Sequence, residues 1–186
     1  MLEKAADQEV RILSRPPAAC PETTSQTQVP WLDGDQQRAW RAVQVMQARL
    51  NAALGSQLAA ESDLSLADYV VLVVLTDGPN GAARVHELAR HLGWERSRVS
   101  HHIARMARRG LVRKERCATD RRGSIVVVTE EGRRAIEAAA PGHAAAVRRF
   151  FIEVLTDEEL DSLADVADRV VDAIDRAEQA FGSGEH

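Results

Sequence analysis

Between Val85 and Val128 the spacing of apolar residues changes character twice, and this change constrains the fold more than any other feature of the chain. Val85, Leu88, Ala89 and Leu92 recur at helical steps, as do Val99, Ile103 and Met106. Such spacing places each set on one face of a helix. Gly93 separates the two sets, and Gly110 supplies a natural stop after the second. Two short β-type runs follow, 111–116 and 124–128, joined by the charged segment 117–123. Short helix, tight turn, second helix and hairpin, in that order, predict a winged helix-turn-helix.

The flanks read as helices. From about Asp35 to Leu58, Val43, Met46, Leu50, Leu54 and Leu58 form one apolar stripe. The run Tyr69 to Leu75 is continuously apolar and suits a buried strand equally well, but Ser65 followed by Asp68 resembles a helix N-cap pair and Asp77 to Gly81 reads as a loop. A fully buried helix is therefore expected over 66–75. Thr129 with Glu130 and Glu131 opens a further helix, which Pro141-Gly142 is expected to kink or interrupt before 147–154 continues it. Thr156 and Glu159 form a capping box for a last helix carrying Leu160, Leu163, Val166, Val170, Val171 and Ile174. Ser14 to Pro30 holds Pro16, Pro17, Pro21 and Pro30 among Ser, Thr and Gln, a composition with too little apolar surface to offset ordering. The expected fold class is mainly α with a small β-hairpin wing: a flexible arm (1–30), an N-terminal dimerisation helix (31–62), a winged helix-turn-helix domain (63–130) and C-terminal dimerisation helices (131–181).

Charge narrows the function. The formal net charge is −4, yet residues 84–134 carry 14 Lys/Arg against 6 Asp/Glu, leaving 10 against 22 elsewhere. A basic block inside an acidic chain points to a polyanionic partner. Without a run of about 18 uncharged apolar residues or a recognisable signal peptide, no membrane role and a cytoplasmic location are expected. Cys20 and Cys117 are the only cysteines, and neither belongs to a Cys/His array. His86, His91, His101 and His102 lack the spacing of a metal site. No metal, cofactor or catalytic constellation is recognisable, so no enzyme activity is expected.

The second short helix holds the candidate nucleic-acid face. With Val99, Ile103 and Met106 turned inward, Arg96, Ser97, Arg98, Ser100, His101, His102 and Arg105 crowd the remaining surface. These side chains donate to base edges and phosphates, and the major groove admits one helix. Arg121 and Arg122 at the wing tip suit a narrow minor groove, and Asp120 is placed to orient one of them. Arg108, near the helix end, is placed for a phosphate.

The ordered run Glu87-Leu88-Ala89-Arg90-His91-Leu92-Gly93, Ser97-Arg98-Val99-Ser100, Arg109-Gly110-Leu111-Val112, Asp120-Arg121-Arg122-Gly123 and Thr129-Glu130-Glu131-Gly132-Arg133 resembles the signature of the MarR family. The resemblance implies a homodimer with interlocked first and last helices, bound to double-stranded DNA at an inverted-repeat operator. It also implies a repressor released by a small aromatic or phenolic effector, or by cysteine oxidation. Trp94 and the N-terminal arm depart from the pattern. Trp40, Gln44, Tyr69 and Val73, beside Val43, are candidate effector contacts, although core packing accounts for them too. Cys117 follows Arg113, Lys114 and Arg116, whose charge would lower its pKa, so a thiol-based redox regulator is an alternative to a passive surface cysteine. A second alternative is a winged-helix module for protein assembly without DNA binding. That reading needs an apolar patch where this sequence places Arg.

Overall fold

The computed structural model describes residues 31–116 and 124–182. The expectations placed on the arm 1–30 and on Cys20, Cys117, Asp120, Arg121 and Arg122 lie outside the described residues. The chain divides into two compact units, Met1–Leu50 and Asn51–His186.

In the first unit, helix α1 (Gly34–Glu61) begins after a reciprocal cap. The Gln36 backbone N–H donates to Asp33 Oδ1 at 2.9 Å and the Asp33 N–H donates to Gln36 Oε1 at 3.1 Å. Each side chain satisfies an orphan donor of the first turn. Trp40, Val43, Val45 and Met46 are exposed along this part of the helix.

The second unit takes in the end of α1 and contains α2 (Leu66–Asp77), β1 (Ala82–Arg84), α3 (Val85–Leu92), α4 (Arg96–Arg108), β2 (Val112–Arg116), β3 (Ser124–Val128), α5 (Glu130–Phe150) and α6 (Asp157–Gly182). The ambiguous apolar run is helical because Ser65 and Asp68 close a capping box: the Asp68 N–H donates to Ser65 Oγ and the Ser65 N–H donates to Asp68 Oδ2. Contrary to the expectation from its apolar composition, the helix is not fully buried. Val71, Leu72 and Leu75 are inaccessible, but Val70 is 37% exposed, since a helix packed on one side turns its other side outward whatever residues it carries.

Helices α3 and α4 meet at Gly93, whose φ of +60° ends α3 in the left-handed region that glycine adopts without strain. Leu88 from α3, Val99, Ile103 and Met106 from α4, and Val126 from β3 join Leu58 and the α2 residues in one core. Each fully buried Leu, Ile or Met contributes about 1.5–3 kcal/mol. The hairpin forms as expected, with Val112 opposite Val128 and Arg116 opposite Ser124. A third strand also appears: β1 pairs with β3, giving the antiparallel order β1-β3-β2.

Pro141 does not interrupt α5, which runs unbroken from Glu130 to Phe150. A proline removes one backbone hydrogen bond. Here Ala139 and Ala146 are buried on either side of it, so packing holds both halves. The break falls later, at the 3₁₀ turn Ile152–Val154, and the predicted Thr156/Glu159 box then opens α6. At the base of the wing, Thr129 caps α5 by accepting from the Gly132 N–H at 3.0 Å, and its hydroxyl donates to the Leu111 carbonyl. A Cβ on Gly132 would collide with that same carbonyl. No helix among the described residues is long and apolar enough to cross a membrane. A helical framework carrying a three-stranded wing sheet is a winged helix-turn-helix.

Candidate nucleic-acid interface

Helix α4 divides its side chains by the 3.6-residue period. Val99, Ile103 and Met106 are wholly inaccessible, while Arg96, Ser97, Arg98, His101, Arg105 and Arg108 are exposed and Ser100 is half-buried. The exposed set is the one that the sequence assigns to DNA, with one correction. His102 is 5% exposed and belongs to the buried face, because it stands three residues after Val99 and four before Met106. That spacing was available in the sequence and is the signal that would have placed it.

The buried His102 meets an equally buried carboxylate. Its Nε2 lies 3.1 Å from Oδ1 of Asp68, without the alignment of a full hydrogen bond. Asp68 is 3% exposed, and its Oδ2 accepts from Ser65 Oγ at 2.8 Å and from Arg109 Nη1 at 2.7 Å. Arg109 also donates to the Asp63 carbonyl, tying the end of α4 to the approach to α2. Burial alone would raise the Asp68 pKa, but hydrogen bonds from Ser65 and Arg109 and the arginine charge outweigh it and hold the carboxyl below its ordinary 3.8. For His102, burial pushes the imidazole below its ordinary 6.5; Asp68 opposes this and Arg105 reinforces it.

Two exposed guanidinium groups rest on this buried layer. Arg105 Nη2 approaches His102 Nδ1 at 2.7 Å, and the Arg98 guanidinium lies 4.4 Å over the Trp94 ring. Trp94 in turn meets the His102 ring edge-on, with centroids 5.4 Å apart. Together with Ala67, His101, Ala104 and Arg108 they line an open cleft of about 390 Å³. The departure at Trp94 thus has a structural role: it is the platform for Arg98.

The candidate effector residues fall in both units. Trp40 is 48% exposed and Gln44 is exposed in the first unit. In the second, Val73 is half-buried and Tyr69 is buried, its ring 4.2 Å from that of His143. Burial raises the Tyr69 pKa and lowers that of His143. His143 Nδ1 and Gln57 Oε1 are buried polar atoms that make no hydrogen bond among the described residues.

Residues 62–123 match the family model described as MarR family. Sco3205 of Streptomyces coelicolor, a MarR family transcriptional regulator whose structure was solved in complex with DNA, is 34% identical over 77% of this chain and 94% of its own, with a TM-score of 0.74. AbsC of Streptomyces coelicolor, also a MarR family transcriptional regulator, is 35% identical over 78% of this chain and 98% of its own, with a TM-score of 0.73. BpsR of Bordetella bronchiseptica shares the fold at 21% identity and a TM-score of 0.63, over 72% of this chain and 98% of its own. No curated protein matches the chain in sequence.

Proposed function

The chain belongs to the MarR family of transcriptional regulators, and from that premise we propose that it acts as a homodimer that binds double-stranded DNA at an inverted-repeat operator, with α4 in the major groove. The observation that carries the reading is the division of α4: an inaccessible apolar face beneath, and Arg96, Arg98, His101, Arg105 and Arg108 above. The wing-tip residues Asp120, Arg121 and Arg122 complete the proposal on the minor-groove side.

Binding of the protein to its own upstream DNA in an electrophoretic shift tests this reading, and a failure to shift any duplex overturns it. Arg98→Ala is expected to cost about 1–3 kcal/mol of operator affinity and to relax preference at one position per half-site. Arg108→Ala is expected to weaken operator and random DNA alike, since a phosphate contact carries no sequence information. Equal loss on both DNAs for Arg98→Ala would show that the reading face is wrongly assigned.

The homodimer rests on apolar side chains left exposed on the two long terminal helices: Trp40, Val43 and Met46 on α1, and Val166, Val170, Val171 and Ile174 on α6. Water-exposed stripes of this kind mark association surfaces. Light scattering at micromolar concentration is expected to give twice the 20.4 kDa chain mass. A monomer refutes the assembly and with it the paired half-sites, about 10 base pairs apart. Repression relieved by a small aromatic effector is the remaining part of the reading. It is favoured by His143 Nδ1, on the ring beside Tyr69, and by Gln57 Oε1, buried polar atoms that make no hydrogen bond among the described residues and that a phenolic or heteroaromatic ligand would satisfy.

A further inference from the structure

An arginine guanidinium has no acceptor atom and does not lose its proton, so wherever it makes a hydrogen bond the partner must accept. Arg105 Nη2 sits 2.7 Å from His102 Nδ1. That contact fixes the chemistry of the ring: Nδ1 carries a lone pair, the imidazole is neutral, and its hydrogen is on Nε2. The Nε2 side faces the Asp68 carboxylate at 3.1 Å, where an N–H is favourable and a lone pair would be repelled. Both contacts therefore select one tautomer.

This ring has little freedom to choose another pose. It is 5% exposed, with Trp94 against it and Asp68 behind it, and Asp68 is itself held by Ser65 and Arg109. The arrangement connects the capped start of α2, through two buried side chains, to an exposed arginine on the outer face of α4.

We propose that His102 is a positioning residue for DNA recognition: its Nδ1 holds the Arg105 guanidinium in one pose on the surface of α4 before DNA arrives. The inference rests on the DNA-binding reading above and deepens it by identifying what orders one of the side chains that does the reading. A long, rotamer-rich side chain loses much of its freedom on binding, and one already held by a buried acceptor loses less. Apolar residues fill the neighbouring inward positions of α4, so the histidine is explained by the acceptor it supplies rather than by packing alone.

The test contrasts two amide substitutions in the full chain. His102→Asn places a carbonyl oxygen where Nδ1 stands and keeps an acceptor for Arg105. His102→Gln carries its amide out to the Nε2 position, toward Asp68, and leaves Arg105 unheld. Operator affinity is expected to fall about five- to tenfold for Arg105→Ala and no further than that for His102→Gln, with the double variant no weaker than Arg105→Ala alone. His102→Asn is expected to stay within about threefold of the wild type. Additive losses, or equal affinities for the Asn and Gln variants, overturn the proposal. A second measurement needs neither DNA nor a variant: the ¹⁵N shifts of the His102 ring in the free protein at neutral pH are expected to show a hydrogen on Nε2 and none on Nδ1, and a protonated Nδ1 overturns the proposal. If the wild type itself binds no DNA, the DNA-binding reading fails. If the wild type binds and His102→Gln binds equally well, only the role of His102 fails.

Discussion

Asp68→Ala is expected to lower the free energy of unfolding by about 2–4 kcal/mol, a larger loss than for any other polar side chain in the layer between α2 and α4. The carboxylate closes the capping box of α2, accepts from Arg109 at 2.7 Å and faces the buried His102, so its removal takes away the helix cap and the charged acceptor of Arg109 together. Denaturant unfolding at neutral pH checks the magnitude. Asp68→Asn separates shape from charge through the pH dependence. The folded-state pKa lies below the ordinary 3.8, so the ionised group contributes stability that is fully present above 3.8 and is lost as pH falls through the folded value. Thermal melts between about pH 5 and 2 are therefore expected to show a steeper acid decline for the wild type than for Asp68→Asn. Parallel declines would mean that the carboxylate is not held ionised by its partners.

Gly132→Ala is expected to cost about 2–4 kcal/mol, the result of overpacking against backbone. An added methyl group would meet the Leu111 carbonyl and press on Val128, and a carbonyl has no rotamer by which to withdraw. The same carbonyl accepts from the Thr129 N–H and hydroxyl, so displacing it also loosens the cap of α5. A variant melting within about 1–2 °C of the wild type, on a scale where each kcal/mol shifts the midpoint of a chain this size by about 2–4 °C, would show that the junction can yield.

Much of the framework was legible because its determinants are local. The boundaries of α3 follow from its apolar period and Gly93, and those of α4 fall within a residue of the expected ones. The caps at Ser65 and Thr156 follow from side chains three residues from their partners. The exposed arginines of α4 were legible for the same reason. What escaped depends on contacts across the sequence. Ala82-Ala83-Arg84 carries no β-branched residue and no alternation, and it is a strand only because β3 lies alongside it. Arg109 and Asp68 are 41 positions apart, and nothing in either neighbourhood announces the pair. His102 is different, since helical period alone assigns it inward; its polarity drew it to the wrong face. The continuity of α5 through Pro141 likewise reflects burial on both sides of the proline, which the local rule does not count.

The pairing of β1 with β3 also makes the sheet depend on its last strand in the sequence. Arg84 and Ile125 face each other across the sheet, about 40 residues apart in the chain, and both helices of the helix-turn-helix lie in the segment that this pairing closes. A chain that ends ahead of Ser124 therefore lacks the central strand of the sheet, the one to which both Ala82–Arg84 and Val112–Arg116 bond. Strand β3 supplies both ladders at once, so the sheet beside α3 and α4 is complete only in a chain that extends through Val128.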